Sequence, residues 1–238
     1  MFAAIGPFAG TQPFNDWFVP DTIQRHVLGT TVTAVDPYWG AGKFMYIKSN
    51  DALVKGSLTM WNELYQGNLL PSTTLQGFPF GVAMAPMASG VFGWIQLEGR
   101  AVYATSATVA ADAAVAIAAA GVVGASATGK QLVNVRNRVA ATGTKTFTAY
   151  TYNGYAKIFC PMGYDGAFLG MALSGTGVGA SAVVAALDPD GKTLYAGTAI
   201  GTASGANSTA SGSITLTGTY TGYGSGMINN PFAQGAIT

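Results

Sequence analysis

The sequence predicts an all-β protein, with β-sandwich or barrel-like domains behind an extended N-terminal arm. Three observations carry this prediction. Short runs of alternating or β-branched residues recur along the chain, separated by turn signals such as Asn153-Gly154 and Asp188-Pro189-Asp190-Gly191. Glycine is abundant, at 33 of 238 residues, which supplies many tight turns. The one stretch whose composition favours helix, Ala101–Ala127, is interrupted at Gly121 and Gly124, and its larger apolar residues Val115 and Ile117 stand two apart. It therefore reads as strand and loop.

Residues 1–42 carry Pro7, Pro13, Pro20 and Pro37 among Phe2, Phe8, Phe14, Trp17, Phe18, Tyr38 and Trp39. Proline at that spacing prevents a long helix and favours extended chain. Aromatics at that density pack on something, either the chain's own core or a neighbouring subunit. We carry forward the second reading, an arm whose Phe8, Phe14, Trp17, Phe18 and Trp39 are partner contacts. Residues 43–60 hold two β-type runs around Ser49-Asn50-Asp51, with Phe44 and Tyr46 as core candidates. Val91–Val102 is a further strand region, broken at Gly93 and Gly99, with Trp94, Ile95 and Leu97 as core candidates.

Leu132–Ala140 alternates, with Val133, Val135 and Val139 on one face and Asn134, Arg136 and Arg138 on the other. Arg136 and Arg138 then form a modest basic patch suited to an acidic protein surface. Phe147–Phe159 reads as a hairpin around Asn153-Gly154, a pair that suits a type I′ turn. Ala182–Ile200 reads as a second hairpin, and Ser213–Tyr220 as an alternating strand. Charge falls away along the chain. Residues 1–157 hold ten Lys/Arg and seven Asp/Glu, and no charged residue follows Lys192. The predicted organisation is an arm (1–42), a β-rich domain (43–140) and a Gly/Thr/Ser-rich β domain (141–238).

Charged residues make up only 9% of the chain, against about 25% in ordinary soluble domains, so much surface must be hidden. The net charge of +1 argues against a nucleic-acid partner, which needs many cations to neutralise phosphates. Lipid is also a poor hiding place. Ala167–Leu187 is 21 residues without a charge, but six are Ala and four Gly, which contribute little to insertion. The N-terminus has neither the basic n-region nor the apolar h-region of an export signal. The remaining places are a β core and other protein chains.

Little in the sequence offers catalysis or cofactor binding, and neither an enzyme nor a metal or cofactor is expected. One cysteine, Cys160, excludes a disulfide framework and cysteine-built zinc sites, and one histidine, His26, leaves scant material for acid–base chemistry. Gly124–Lys130 matches a phosphate-binding loop for seven positions, but Gln131 stands where Ser or Thr should ligate magnesium, and a strand pattern follows. Gly175–Ala180 fits a loose dinucleotide pattern inside an all-β stretch, where tight turns or close backbone approach explain the glycines better. Asp188 and Asp190 read as turn residues, and Cys160 beside Pro161 as a buried thiol.

Several segments carry a family resemblance: Leu28-Gly29, Gly40–Lys48, Leu53–Gly56, Phe92–Gly99 and Lys130–Arg136, with an Ala/Val/Thr-rich stretch before the last. Over roughly residues 25–140 the chain resembles the small capsid decoration (cement) proteins of tailed bacteriophages. The Gly-Trp-Ile-Gln-Leu-Glu-Gly segment and its spacing to Phe-Met-Tyr-Ile-Lys are the strongest parts. The resemblance implies a β-rich homotrimer on the outer capsid surface that bridges neighbouring major capsid proteins, without catalytic residues. A symmetric trimer also gives a low-charge chain somewhere to bury apolar surface. The Ser/Thr/Gly-rich C-terminal part leaves a second expectation open, a fibre-like or glycan- or receptor-binding β domain on a virion.

Overall fold

The computed structural model describes residues 3–4, 19–36, 40–73, 77–106, 109–188 and 190–234. It is all-β, with no helix among the described residues. The strands are β1 (Ala3–Ala4), β2 (Thr31–Asp36), β3 (Gly40–Ser49), β4 (Leu58–Trp61), β5 (Gln66–Leu69) and β6 (Phe78–Ala83). They continue with β7 (Phe92–Ala104), β8 (Val115–Ala119), β9 (Val122–Ala125), β10 (Leu132–Asn137), β11 (Thr142–Thr151) and β12 (Lys157–Phe159). The last are β13 (Ala172–Ser174), β14 (Val183–Leu187), β15 (Thr193–Gly197), β16 (Gly212–Thr221) and β17 (Tyr223–Ala233).

The chain divides into two compact units, one built on 142–221 and the other on 19–35, 40–141 and 222–234. The division near residue 141 coincides with the composition shift. The end of the chain does not belong with residues 142–221: β17 returns to pair with β7 and β10. The 142–221 unit is thus an insertion, and its flanks are adjacent, the Gly222 N–H donating to the Ala141 carbonyl at 2.8 Å. Adjacent ends let an inserted unit form without distorting its host.

The host unit contains a nine-stranded sheet in the order β1-β2-β3-β5-β4-β6-β7-β17-β10, with additional pairings β3–β7 and β6–β17. Its centre is the antiparallel pair β3–β7, in which Phe44 stands opposite Gln96, Met45 opposite Ile95 and Tyr46 opposite Trp94. Side chains alternate along both strands and both faces are covered, which is why Phe44–Ile47 and Trp94–Leu97 are apolar on both faces apart from the buried Gln96. Phe44, Tyr46 and Trp94 pack with Val32, Ala34 and Met84. Met45, Ile47, Ile95 and Leu97 pack with Leu53, Ala83 and Met87. β7 runs unbroken through Gly93 and Gly99. Gly99 is there for close approach: its φ is +100°, and a Cβ would overlap the Ala41 carbonyl oxygen of the neighbouring strand.

The described part of the N-terminal segment packs on its own unit and is not a free arm. Asp21 exchanges backbone hydrogen bonds with Phe92 at 2.8 and 2.9 Å. Val32 and Ala34 of β2 are buried, and β1 pairs with β2. Apolar alternation in Thr31–Asp36 gives this segment a face to bury, so it joins the sheet. Phe8, Phe14, Trp17, Phe18 and Trp39 lie outside the described residues.

The inserted unit is a closed barrel of six strands, β11-β12-β15-β14-β13-β16. Phe147, Ala149, Ile158, Leu173 and Leu216 are buried and alternate with exposed or half-buried residues, while the buried Val184 and Leu194 stand in strands with no exposed residue, β14 and β15. The Ala182–Ile200 hairpin forms with Val183 opposite Gly197. The Asn153-Gly154 turn differs from a type I′ hairpin. Strand pairing stops at Thr151–Ile158, and only Gly154 takes positive φ, +82°. The Tyr155 N–H bonds back to the Tyr152 carbonyl at 3.0 Å. One left-handed residue at the third turn position is the type II pattern, whereas type I′ needs two.

Candidate functional site

The sequence-predicted basic residue Arg136 sits on β10, an edge strand of the host sheet, and Arg138 follows directly after its end. Both are exposed. The strict alternation expected around them is interrupted: the β10–β17 register shifts between Val133 and Val135, and Asn134 takes φ +61°. A bulge resets the faces, so Leu132, Val135 and Asn137 are buried while Val133 is half-buried. Asn137 anchors the strand end. Its Nδ2 donates to the carbonyls of Ala110 and Val139 at 2.6 and 2.5 Å, and its Oδ1 accepts from the Tyr103 hydroxyl at 3.1 Å.

The register across three strands assembles a surface that sequence spacing does not reveal. Arg136 stands opposite Met227, which stands opposite Arg100. Directly opposed residues share a face, so the two guanidinium groups flank a methionine that is 57% exposed. Two positions along β7 on the same face, Glu98 pairs with Lys43 at 3.6 Å and accepts from the Asn230 amide at 2.7 Å. Arg138 is held otherwise, its Nη1 lying 2.7 Å from Oδ1 of Asp112. Both partners are exposed, so this pair contributes little stability but orients Arg138 and its loop. The result is a mixed polar face, basic along Arg136–Arg100, with an apolar contact at its centre. That composition suits a protein partner.

The other candidates are structural. Tyr46 donates its hydroxyl to Oδ2 of Asp21 at 2.8 Å, and Arg25 meets Oδ1 of the same carboxylate at 2.9 Å. Burial, and then Asp21, push the Tyr46 phenol upward, so the hydroxyl stays protonated as a donor. The His26 ring lies 4.9 Å from Tyr46 and 5.3 Å from Trp94, between centroids, as part of the aromatic packing. Cys160 is buried, and its thiol is pushed up to about 12 by burial and by Asp190, the reverse of nucleophile activation. Asp190 organises its turn, accepting from the Lys192 and Thr193 N–H groups and the Thr193 hydroxyl, each at 2.7 Å.

The Gly124–Lys130 segment runs from the end of β9 into a loop and then β10, with no helix N-terminus to receive a phosphate. In Gly175–Ala180, a Cβ on Gly179 would collide with the Ala206 backbone, and the Gly177 carbonyl accepts from Thr209 at 2.8 Å. Close backbone approach explains those glycines. Among the described residues, no group of three His, Cys, Asp or Glu is placed to hold a metal, and no helix is long and apolar enough to cross a membrane. The chain matches no protein-family model, no curated protein and no solved structure.

Proposed function

We propose that this chain is a structural virion protein: a decoration protein that sits on the outer capsid surface as a homotrimer and clamps neighbouring major capsid proteins. One observation carries the reading. The two most specific stretches of the family resemblance, Phe44–Lys48 and Gly93–Gly99, are partners in the central β3–β7 pair. The resemblance therefore falls on one continuous piece of folded core rather than on scattered loops.

The mechanism is mechanical. The Arg136–Met227–Arg100 row supplies charge complementarity to an acidic capsid surface, with apolar burial at its centre. Each contact is modest, and three copies in one trimer raise avidity by about 10²–10⁴ when all engage together. A ligand that binds only the assembled lattice shifts the equilibrium toward the lattice, which stabilises the shell against internal pressure. No covalent step, metal or cofactor enters this reading.

The test is co-sedimentation of the purified protein with mature shells of the phage that encodes it. Wild-type protein is expected to pellet with the shells, less so as salt rises. Arg136→Glu is expected to weaken attachment by about tenfold without loss of stability, because the side chain is exposed. Wild-type protein that stays in the supernatant at low salt overturns the reading.

A further inference from the structure

The inserted unit carries a surface of different chemistry. Tyr152, Tyr155, Lys157 and Phe159 line an open groove of about 580 Å³. Tyr152 and Tyr155 are 47% and 67% exposed. Their loop is nonetheless fixed from both sides. Gly154 N–H donates to the Ser208 carbonyl at 2.8 Å, Ser208 N–H to the Tyr155 carbonyl at 2.9 Å, and Asn153 N–H to the Ser211 hydroxyl at 2.8 Å. The Ala156 carbonyl accepts from Ala196 of β15 at 2.8 Å. The rings are thus presented on a pre-organised support, which lowers the entropic cost of binding.

The groove also has a charge. Lys157 makes no ion pair among the described residues. Asp190 is close enough for the two charges to interact, but its oxygens are engaged in the turn. Oδ2 of Asp188 accepts from the Tyr195 hydroxyl at 3.4 Å. The Lys157 side chain is exposed and, among the described residues, in no direct ion pair, so its ammonium can turn from the neighbouring Asp190 field to an incoming anion.

We propose that this groove binds a carboxylated saccharide, with sugar rings stacked on Tyr152 and Tyr155 and the carboxylate received by Lys157. Flat, rigid phenols with polar tips suit a ligand that alternates apolar ring faces with hydroxyl groups. A single cation is too little for a nucleic-acid backbone. An extended peptide adding a strand would need a sheet edge, and the closed barrel leaves none. The proposal does not rest on the capsid reading, since its site lies on a different unit and its test uses free protein.

The test is calorimetric titration of the full chain with a uronic-acid oligosaccharide, a sialylated trisaccharide and a neutral glucose oligomer. Saturable binding of at least one carboxylated ligand is expected, about tenfold tighter than the neutral one. The first two ligands distinguish the two sources of the carboxylate. Tyr155→Ala is expected to weaken carboxylated and neutral ligands alike by about tenfold, while Tyr155→Phe keeps binding because the ring face is retained. Lys157→Gln is expected to abolish only the preference for carboxylate. All three side-chain changes are at the surface, so a thermal melt matching wild type is expected for each. No binding of either carboxylated saccharide, or binding unchanged in Tyr155→Ala and Lys157→Gln, would overturn the proposal.

Discussion

Trp94 shows how single residues hold the host unit. Its ring lies 5.1 Å from Tyr46 between centroids and packs among Phe44, Val32 and Met84. Trp94→Ala is expected to cost about 3–5 kcal/mol, measurable by urea denaturation, because the surrounding sheet cannot collapse into the space. Lys55 makes the opposite kind of contribution. It is buried, with Nζ 5.8 Å from the Tyr223 ring centroid, and burial lowers its pKa from 10.5 to about 7. Between those values the unfolded chain holds a proton that the folded chain has released, so Lys55 contributes stability that rises with pH from about 7 to 10.5, opposed from pH 9 upward by the buried Cys160 thiol, whose proton the folded chain retains. Burial raises the phenols of Tyr46 and Tyr103 above the ordinary 10, so above that pH the folded state retains protons and stability falls. Lys55→Met is expected to remove the rise and keep the fall, read from denaturation midpoints across that range. Phe44, Tyr46, Trp94, Ile95 and Leu97 were legible as apolar runs of strand type. Lys55 was not, since a lysine in a β-type run gives no sign of burial and the ring beside it comes from β17.

At the level of elements, legibility followed sequence separation. The β14–β15 hairpin was readable because both strands and their turn are contiguous, and the antiparallel register follows from them. β17 was not readable. Gly224, Gly226 and Pro231 weaken its strand signal, and its partners β7 and β10 lie far earlier in the chain. For the same reason the Arg136–Met227–Arg100 row was only half visible: spacing put Arg136 and Arg138 on one face, but only the register brings Arg100 alongside. The Asn153-Gly154 turn was placed correctly and typed wrongly, because bonds to Ser208 and Ser211 fix a longer connection. The sharpest element-scale prediction concerns β3–β7. Gly99→Ala forces a side chain at φ +100° against the Ala41 carbonyl, and is expected to cost about 2–4 kcal/mol in the same denaturation assay. A neutral outcome would show that this strand pair tolerates separation.

At the scale of the whole molecule, the domain boundary expected at residue 141 falls where the inserted unit begins, and nothing local marked where it ends. An element that leaves one sheet, builds a closed barrel and returns has no composition signature at its exit, since Thr221 and Gly222 resemble their neighbours on both sides. The insertion predicts separability. Joining Ala141 directly to Gly222 is expected to leave a cooperatively folding host unit, checked by circular dichroism and a single unfolding transition, because those residues are already hydrogen-bonded neighbours. The low overall charge now has two sources, a barrel whose strands hold only Lys145 and Lys157 as charged residues, and a host sheet whose central strands are covered on both faces. The decoration reading adds the third, a symmetric contact between copies. It is tested most directly by electron microscopy of mature shells imaged with and without the purified protein. The account predicts trimeric density on the outer surface at threefold and quasi-threefold positions, touching neighbouring capsid subunits. Shells that gain no density at those positions would contradict it.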